Sequence, residues 1–334
     1  MSTIFPEVDR APPIATPGLA AIVAAHERIR AHIHLTPVAT SASLDRAAGA
    51  SLFFKCENLQ RVGAFKARGA CNAVFSLDDE EARRGVITHS SGNHGAALAW
   101  AAGRRGIPAW VVMPENAPLI KRRAVEGLGA NVRFSAPTVG AREALCEALL
   151  AETGATMIHP YDDWRVIAGQ GTATLELLEQ ACELDAVIAP VSGGGLLSGT
   201  ALAAKGLKPG IRVFGAEPAG ADDAERSLKS GHIVPQLDPR TIADGLRAQL
   251  CAKTFAVLSA NVERIGLASE DAIVAAMRLI WDKLKLVVEP SGAVPLAALL
   301  EHQLPVQGLR VGIILSGGNV DLDRLPWPQA DSSR

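Results

Sequence analysis

Aromatic residues are scarce in this 334-residue chain: phenylalanine, tryptophan and tyrosine together make 4%, and Tyr161 is the one tyrosine. No apolar run reaches the ~20 residues that a membrane-spanning helix needs. Met1-Ser2-Thr3-Ile4-Phe5-Pro6-Glu7 has neither a basic start nor an apolar core, so no secretion signal is expected. Five cysteines (Cys56, Cys71, Cys146, Cys182, Cys251) are scattered without a C-x-x-C pair. That argues against a zinc site or disulfide frame and for a reducing compartment, the cytoplasm by default. A basic block is missing as well. The formal net charge is −2, and the densest cluster, Lys121-Arg122-Arg123, reads as the solvated face of an expected helix. Neither nucleic acid nor membrane is therefore an expected partner. A repeat of roughly 20–50 residues is also absent.

What is present suits a large buried core. The chain is 48% apolar and 20% charged, and its length fits two domains. Residues 1–16 are polar and proline-containing. Thr16-Pro17 then reads as a cap and first helical position, ahead of a helix from Gly18 to about His32. Beyond it, strands are expected at 52–54, 86–88, 109–113, 131–134, 156–158, 186–189, 212–216, 286–288 and 311–315. Helices are expected at 66–77, 93–105, 118–128, 138–153, 164–182, 195–205, 269–284 and 292–302. This alternation predicts an α/β fold built from open parallel sheets with helices on both faces. Glycine turns at 103–108 and 127–130 punctuate strand–helix units inside 85–159, and that block reads as an inserted smaller domain.

Several strand ends carry chemistry. Ser192-Gly193-Gly194-Gly195-Leu196 lies between a strand and a helix. Its glycines let backbone N–H groups converge on an anion, and the helix N-terminus adds partial positive charge, which suits a phosphate. It is not a P-loop, because Gly-Lys-Ser/Thr is missing. Ser90-Ser91-Gly92-Asn93-His94-Gly95 also follows a strand, and its amides and hydroxyls suit a carboxylate. Ser316-Gly317-Gly318-Asn319 follows a third strand, and Lys66 sits within Ala64-Phe65-Lys66-Ala67-Arg68-Gly69-Ala70. Glu217-Pro218-Ala219-Gly220-Ala221-Asp222-Asp223 offers hard oxygen ligands for magnesium or calcium. Glu289-Pro290-Ser291-Gly292 follows another expected strand.

In their order along the chain, Lys66 first, then the loops at 90–95, 192–196 and 316–319, these motifs resemble the fold-type II pyridoxal-phosphate (PLP) enzymes of the serine/threonine dehydratase and serine racemase group, from about Leu35 to Asp323. The resemblance implies two parallel-sheet domains with PLP in the cleft between them. The larger would comprise 1–84 and 160–334, and the small, mobile one 85–159. Lys66 would hold PLP as a Schiff base and act as base at Cα, with Ser91 facing the opposite side of that carbon. Phe65, Asn93, the loop Ser192, Gly193, Gly194, Gly195 and Leu196, and Ser316 would contact the cofactor. Asn93 would meet its phenolic oxygen and Ser316 its pyridine nitrogen. Ser90, Ser91, Asn93, His94, Tyr161 and Arg142 would line the substrate. Tyr161 stands where the better-known serine racemases tend to carry asparagine. Glu217, the Ala221 carbonyl and Asp223 would hold a divalent cation. The implied activity is an ammonia-lyase converting L-threonine or L-serine to a 2-oxo acid and ammonia. Racemisation and dehydration of 3-hydroxyaspartate are the alternatives. A homodimer without isoleucine feedback is the further expectation.

Overall fold

The computed structural model describes residues 16–90, 92–117, 119–181 and 183–327. Runs such as Val86-Ile87-Thr88 and Val311-Gly312-Ile313-Ile314 are apolar and β-branched almost throughout, the composition of strands covered on both faces. The described strands are β1 (Val38–Ala39), β2 (Ser51–Lys55), β3 (Val86–His89), β4 (Ala109–Pro114), β5 (Asn131–Ser135), β6 (Thr156–Met157), β7 (Ala186–Pro190), β8 (Arg212–Pro218), β9 (Arg264–Ala268) and β10 (Arg310–Ile314). They form two sheets. One has six strands in the order β1-β2-β10-β7-β8-β9, the other four in the order β5-β4-β3-β6. Every pairing is parallel except β1 with β2. Parallel neighbours need crossovers, and the intervening helices supply them. The last strand, β10, lies inside the larger sheet, with Val311 beside Leu52 of β2 and Ala186 of β7. Helix Lys66–Phe75 packs against helices Trp164–Gln180 and Asn93–Arg105. Among the described residues no helix is long and apolar enough to cross a membrane.

The structure departs from the sequence expectation in places. The first helix runs Leu19–Ile29 and is capped by extended Gly18, so Thr16-Pro17 lies outside it. Its buried face begins at Ile22, and packing rather than cap chemistry sets its start. Leu286-Val287-Val288 joins no sheet. Its carbonyls are used otherwise: Val287 accepts from Asn58 Nδ2 (2.9 Å) and Val288 from Trp281 Nε1 (3.2 Å). Lys285, at φ 58°, turns the chain out of helix Glu270–Leu284. The segment is thus a connection that delivers Glu289. Between 217 and 268, helices Asp223–Ser230 and Ala252–Asn261 and strand β9 form where the sequence pattern gave no element.

Candidate active site

Open parallel sheets bind ligands beyond the C-terminal ends of their strands. Here β10 runs into Ser316, its neighbour β7 into the Ser192–Leu196 loop, and β8 beside that ends at Glu217 and Pro218. In the second sheet β3 ends at His89 before Ser90, and adjacent β6 leads into Ile158, His159, Pro160 and Tyr161.

Lys66 opens its helix against the end of β10. The Phe65 N–H donates to the Ser316 carbonyl (3.0 Å), and Ala64 forms a bridge with Gly317. Lys66 Nζ donates to the Pro160 carbonyl (2.9 Å) and lies 5.2 Å from the centre of the Phe65 ring. Burial lowers its pKa to about 8. A useful fraction of the amine is then neutral near pH 7, the form that attacks an aldehyde. Two residues on, buried Arg68 anchors this turn. Its guanidinium donates to both oxygens of Glu57 (2.7 and 2.8 Å) and both of Glu176 (2.8 and 2.7 Å). Lys55 Nζ also meets Glu176 at 2.7 Å. Two cations therefore face two carboxylates. Burial would push the Glu176 carboxyl up, but Arg68 and Lys55 outweigh it and hold the pKa below the usual value. Local sequence gave no sign of this cluster, because Arg68 and Glu176 are 108 residues apart.

The glycine loop is closely covered. Gly194, at φ +86°, caps helix Gly195–Leu207, whose first turn holds buried Leu196. A Cβ on Gly193 would enter the Tyr161 ring, and one on Gly195 would lie 2.9 Å from the Tyr161 Cβ. The Ser192 hydroxyl accepts from the Ala248 N–H (2.9 Å) and donates to its carbonyl (3.1 Å), which ties the loop down.

From Tyr161 an aromatic row leads toward β3. The Tyr161 ring meets His159 edge-on with centroids 4.6 Å apart, and His159 meets His89 at 5.3 Å. His159 Nδ1 accepts the Asp162 N–H (2.9 Å), and burial with nearby His89 lowers its pKa to about 4. Burial and the Arg142 charge lower that of His89, and burial raises the Tyr161 phenol to about 12. His94 is buried, hydrogen-bonds the Ile158 carbonyl through Nε2 (3.1 Å), and is held well below the usual imidazole range by burial and Lys66. These groups are neutral at pH 7. Half-buried Arg142, on helix Val139–Thr153, has no hydrogen-bonded or ion-paired side-chain partner among the described residues. Ser90 accepts the Gly92 N–H at 3.2 Å, and Asn93 opens helix Asn93–Arg105. Ser91 lies outside the described residues.

At the end of β8, the buried Glu217 carboxylate accepts the N–H groups of Ala224 (3.2 Å) and Glu225 (3.0 Å). Burial and neighbouring Asp223 still raise its pKa well above the usual value. Burial also raises Asp223 to about 6; its Oδ1 accepts from Gln236 Nε2 (3.1 Å), while buried Oδ2 has no hydrogen-bond partner among the described residues. Ala221 is buried in the same loop. Two crowded carboxylates with an orphan oxygen fit a hard divalent cation. The described residues contain no group of three His, Cys, Asp or Glu able to hold a metal, so such a site would depend on main-chain carbonyls.

The glycine loop has no room for side chains at a helix N-terminus, and Lys66 presents an amine suited to an aldehyde. On paired parallel sheets, this is the arrangement of a PLP-dependent enzyme of fold type II. The family model described as "Pyridoxal-phosphate dependent enzyme" matches residues 29–317, and the chain belongs to that family. It is 50% identical over 317 residues to a serine racemase of Dictyostelium discoideum, covering 94% of this chain and 98% of the relative. It is 52% identical over 306 residues to a beta-hydroxyaspartate dehydratase of Paracoccus denitrificans (92% and 97%). Among solved structures, a threonine deaminase from T.th. superposes with a TM-score of 0.86 at 46% identity (92% and 99%).

Proposed function

We propose that this enzyme dehydrates a small β-hydroxy amino acid, L-threonine or L-serine, releasing a 2-oxo acid and ammonia. The observation that carries this is the Lys66 amine, lowered to about 8 and fixed beside the strand end that bears Ser316. Bound PLP supplies the electron sink for charge developing at Cα. Phe65, Lys66, Asn93, the Ser192–Leu196 loop and Ser316 would hold it. Ser316 offers a hydroxyl where a carboxylate would keep the pyridine nitrogen protonated, and this milder sink favours β-elimination. The Ser90–Gly95 loop and His94 would hold the substrate carboxylate. Lys66 then takes the Cα proton, the β-hydroxyl departs as water, and the resulting enamine hydrolyses to oxo acid and ammonia. Ser91, which the family resemblance implies would face the opposite side of Cα, would return a proton when the substrate is racemised instead. Residues 85–159 would move as a small domain over a larger one comprising 1–84 and 160–334, excluding water. Glu217, the Ala221 carbonyl and Asp223 would hold magnesium or calcium in a stabilising role. The family resemblance supports a homodimer, and the scattered cysteines support a reducing compartment such as the cytoplasm.

Arg142 favours a second substrate class. A cation with no ion-pair partner among the described residues, close enough to neutral His89 and Tyr161 to influence them, suits an acidic side chain, as in 3-hydroxyaspartate, and one relative carries that specificity in its name. The test is 2-oxo acid release, with and without magnesium, from L-serine, D-serine, L-threonine and the 3-hydroxyaspartate isomers, with chiral analysis of what remains. Wild type releases oxo acid and Lys66→Ala does not. Arg142→Ala loses turnover of 3-hydroxyaspartate while keeping that of threonine. Release by Lys66→Ala at the wild-type rate would overturn the mechanism.

A further inference from the structure

Asn93 is gripped from the other half of the molecule. Its Nδ2 donates to Glu289 Oε1 (2.9 Å) and Oε2 (3.2 Å), while its Oδ1 accepts from Asn319 Nδ2 (2.9 Å). Asn319 Nδ2 is itself held on the Val62 carbonyl (2.8 Å), just ahead of Lys66. Glu289 is only 5% exposed. Its N–H donates to the Gly317 carbonyl (3.0 Å), and a Cβ on Gly317 would come within 2.5 Å of its Oε1. The carboxylate is therefore wedged between Asn93 and the residue after Ser316.

The chemistry of the two neighbours fixes the amide. A carboxylate only accepts, and the NH₂ of Asn319 only donates. Asn93 must then turn its nitrogen to Glu289 and its oxygen to Asn319. One N–H of Asn93 is engaged by Glu289, and the second has no acceptor among the described residues.

We propose that Glu289 and Asn319 are positioning residues that lock the Asn93 amide in one orientation and reserve its second N–H for the phenolic oxygen of the cofactor. This rests on the reading of Asn93 as a cofactor donor. Asn319→Asp is the sharpest probe. An aspartate would accept where Asn319 donates, drawing the second N–H of Asn93 away from the cofactor. Glu289→Gln is milder, because its amide can still present an oxygen.

The experiment uses holoenzyme for the visible band of bound PLP and reconstituted apoenzyme for PLP affinity. Far-ultraviolet circular dichroism checks the fold of each variant. Asn93→Ala is the reference. Asn319→Asp is expected to reproduce it, weakening PLP binding about tenfold, the value of one hydrogen bond to a charged oxygen, and shifting the band to shorter wavelength. Asn319→Ala and Glu289→Gln shift both in the same direction by less. If Asn93→Ala leaves band and affinity unchanged, the reading of Asn93 as donor falls. If Asn93→Ala changes both while folded Asn319→Asp, Asn319→Ala and Glu289→Gln match wild type, the positioning role is overturned.

Discussion

On the role proposed for Lys66, a single proton decides whether the apoenzyme can take up its cofactor. Burial sets the pKa of this amine near 8, so at pH 7 roughly a tenth of it is neutral. Only the neutral form attacks the aldehyde. Covalent capture of PLP, followed by stopped-flow absorbance, should speed up nearly tenfold from pH 7 to well above 8 and then level off. A flat profile would place the pKa elsewhere. Lys66, the glycine loop and Ser316 could be singled out as candidates because each is announced by its immediate neighbours in the chain. Glu289 as the partner of Asn93 was not: 196 residues separate the two, and 226 separate Asn93 from Asn319. No local period encodes such meetings.

The element that carries Lys66 is held by charge from inside. Helix Lys66–Phe75 is moored through Arg68 to Glu57 and to Glu176 on helix Trp164–Gln180. Pro160, which accepts from Lys66, lies just ahead of that second helix, so one cluster sets both sides of the lysine contact. Arg68→Met would leave buried Glu57 with the Thr36 hydroxyl and buried Glu176 with Lys55 and, at 3.8 Å, His26. Removing one partner of a buried pair typically costs about 3–5 kcal/mol. A comparable loss is expected in denaturant unfolding of the apoenzyme, and a change under about 1 kcal/mol would show that the cluster does not anchor the helix. Most elements were readable from strand–helix alternation, and helix Asn93–Arg105 has its expected limits. Leu286-Val287-Val288 was misread because an apolar triplet with two β-branched valines looks alike in a ladder and in a connection; here Val288 is buried while Val287 is exposed. The elements between 217 and 268 escaped because they are short and lack a clear period.

For the molecule as a whole, the decisive feature is sheet order. β10 ties β2, from early in the chain, to β7, from its middle. A chain ending at residue 308 would lack β10 and leave one edge of each of those two strands without its partner. Unpaired edges recruit other chains. Such a truncation should partition into the insoluble fraction or elute as aggregate on size exclusion, whereas a soluble monomer with native circular dichroism would show that β10 is dispensable. The alternation predicted α/β architecture, but strand order could not be read locally, because β10 pairs with strands far away in sequence. The same order bears on synthesis. Translation yields the strand leading to Ser316 only after every other described strand has been made, so the nascent chain carries an incomplete large sheet until β10 is available. Throughout that interval it would be dependent on whatever shields open strand edges in the cell.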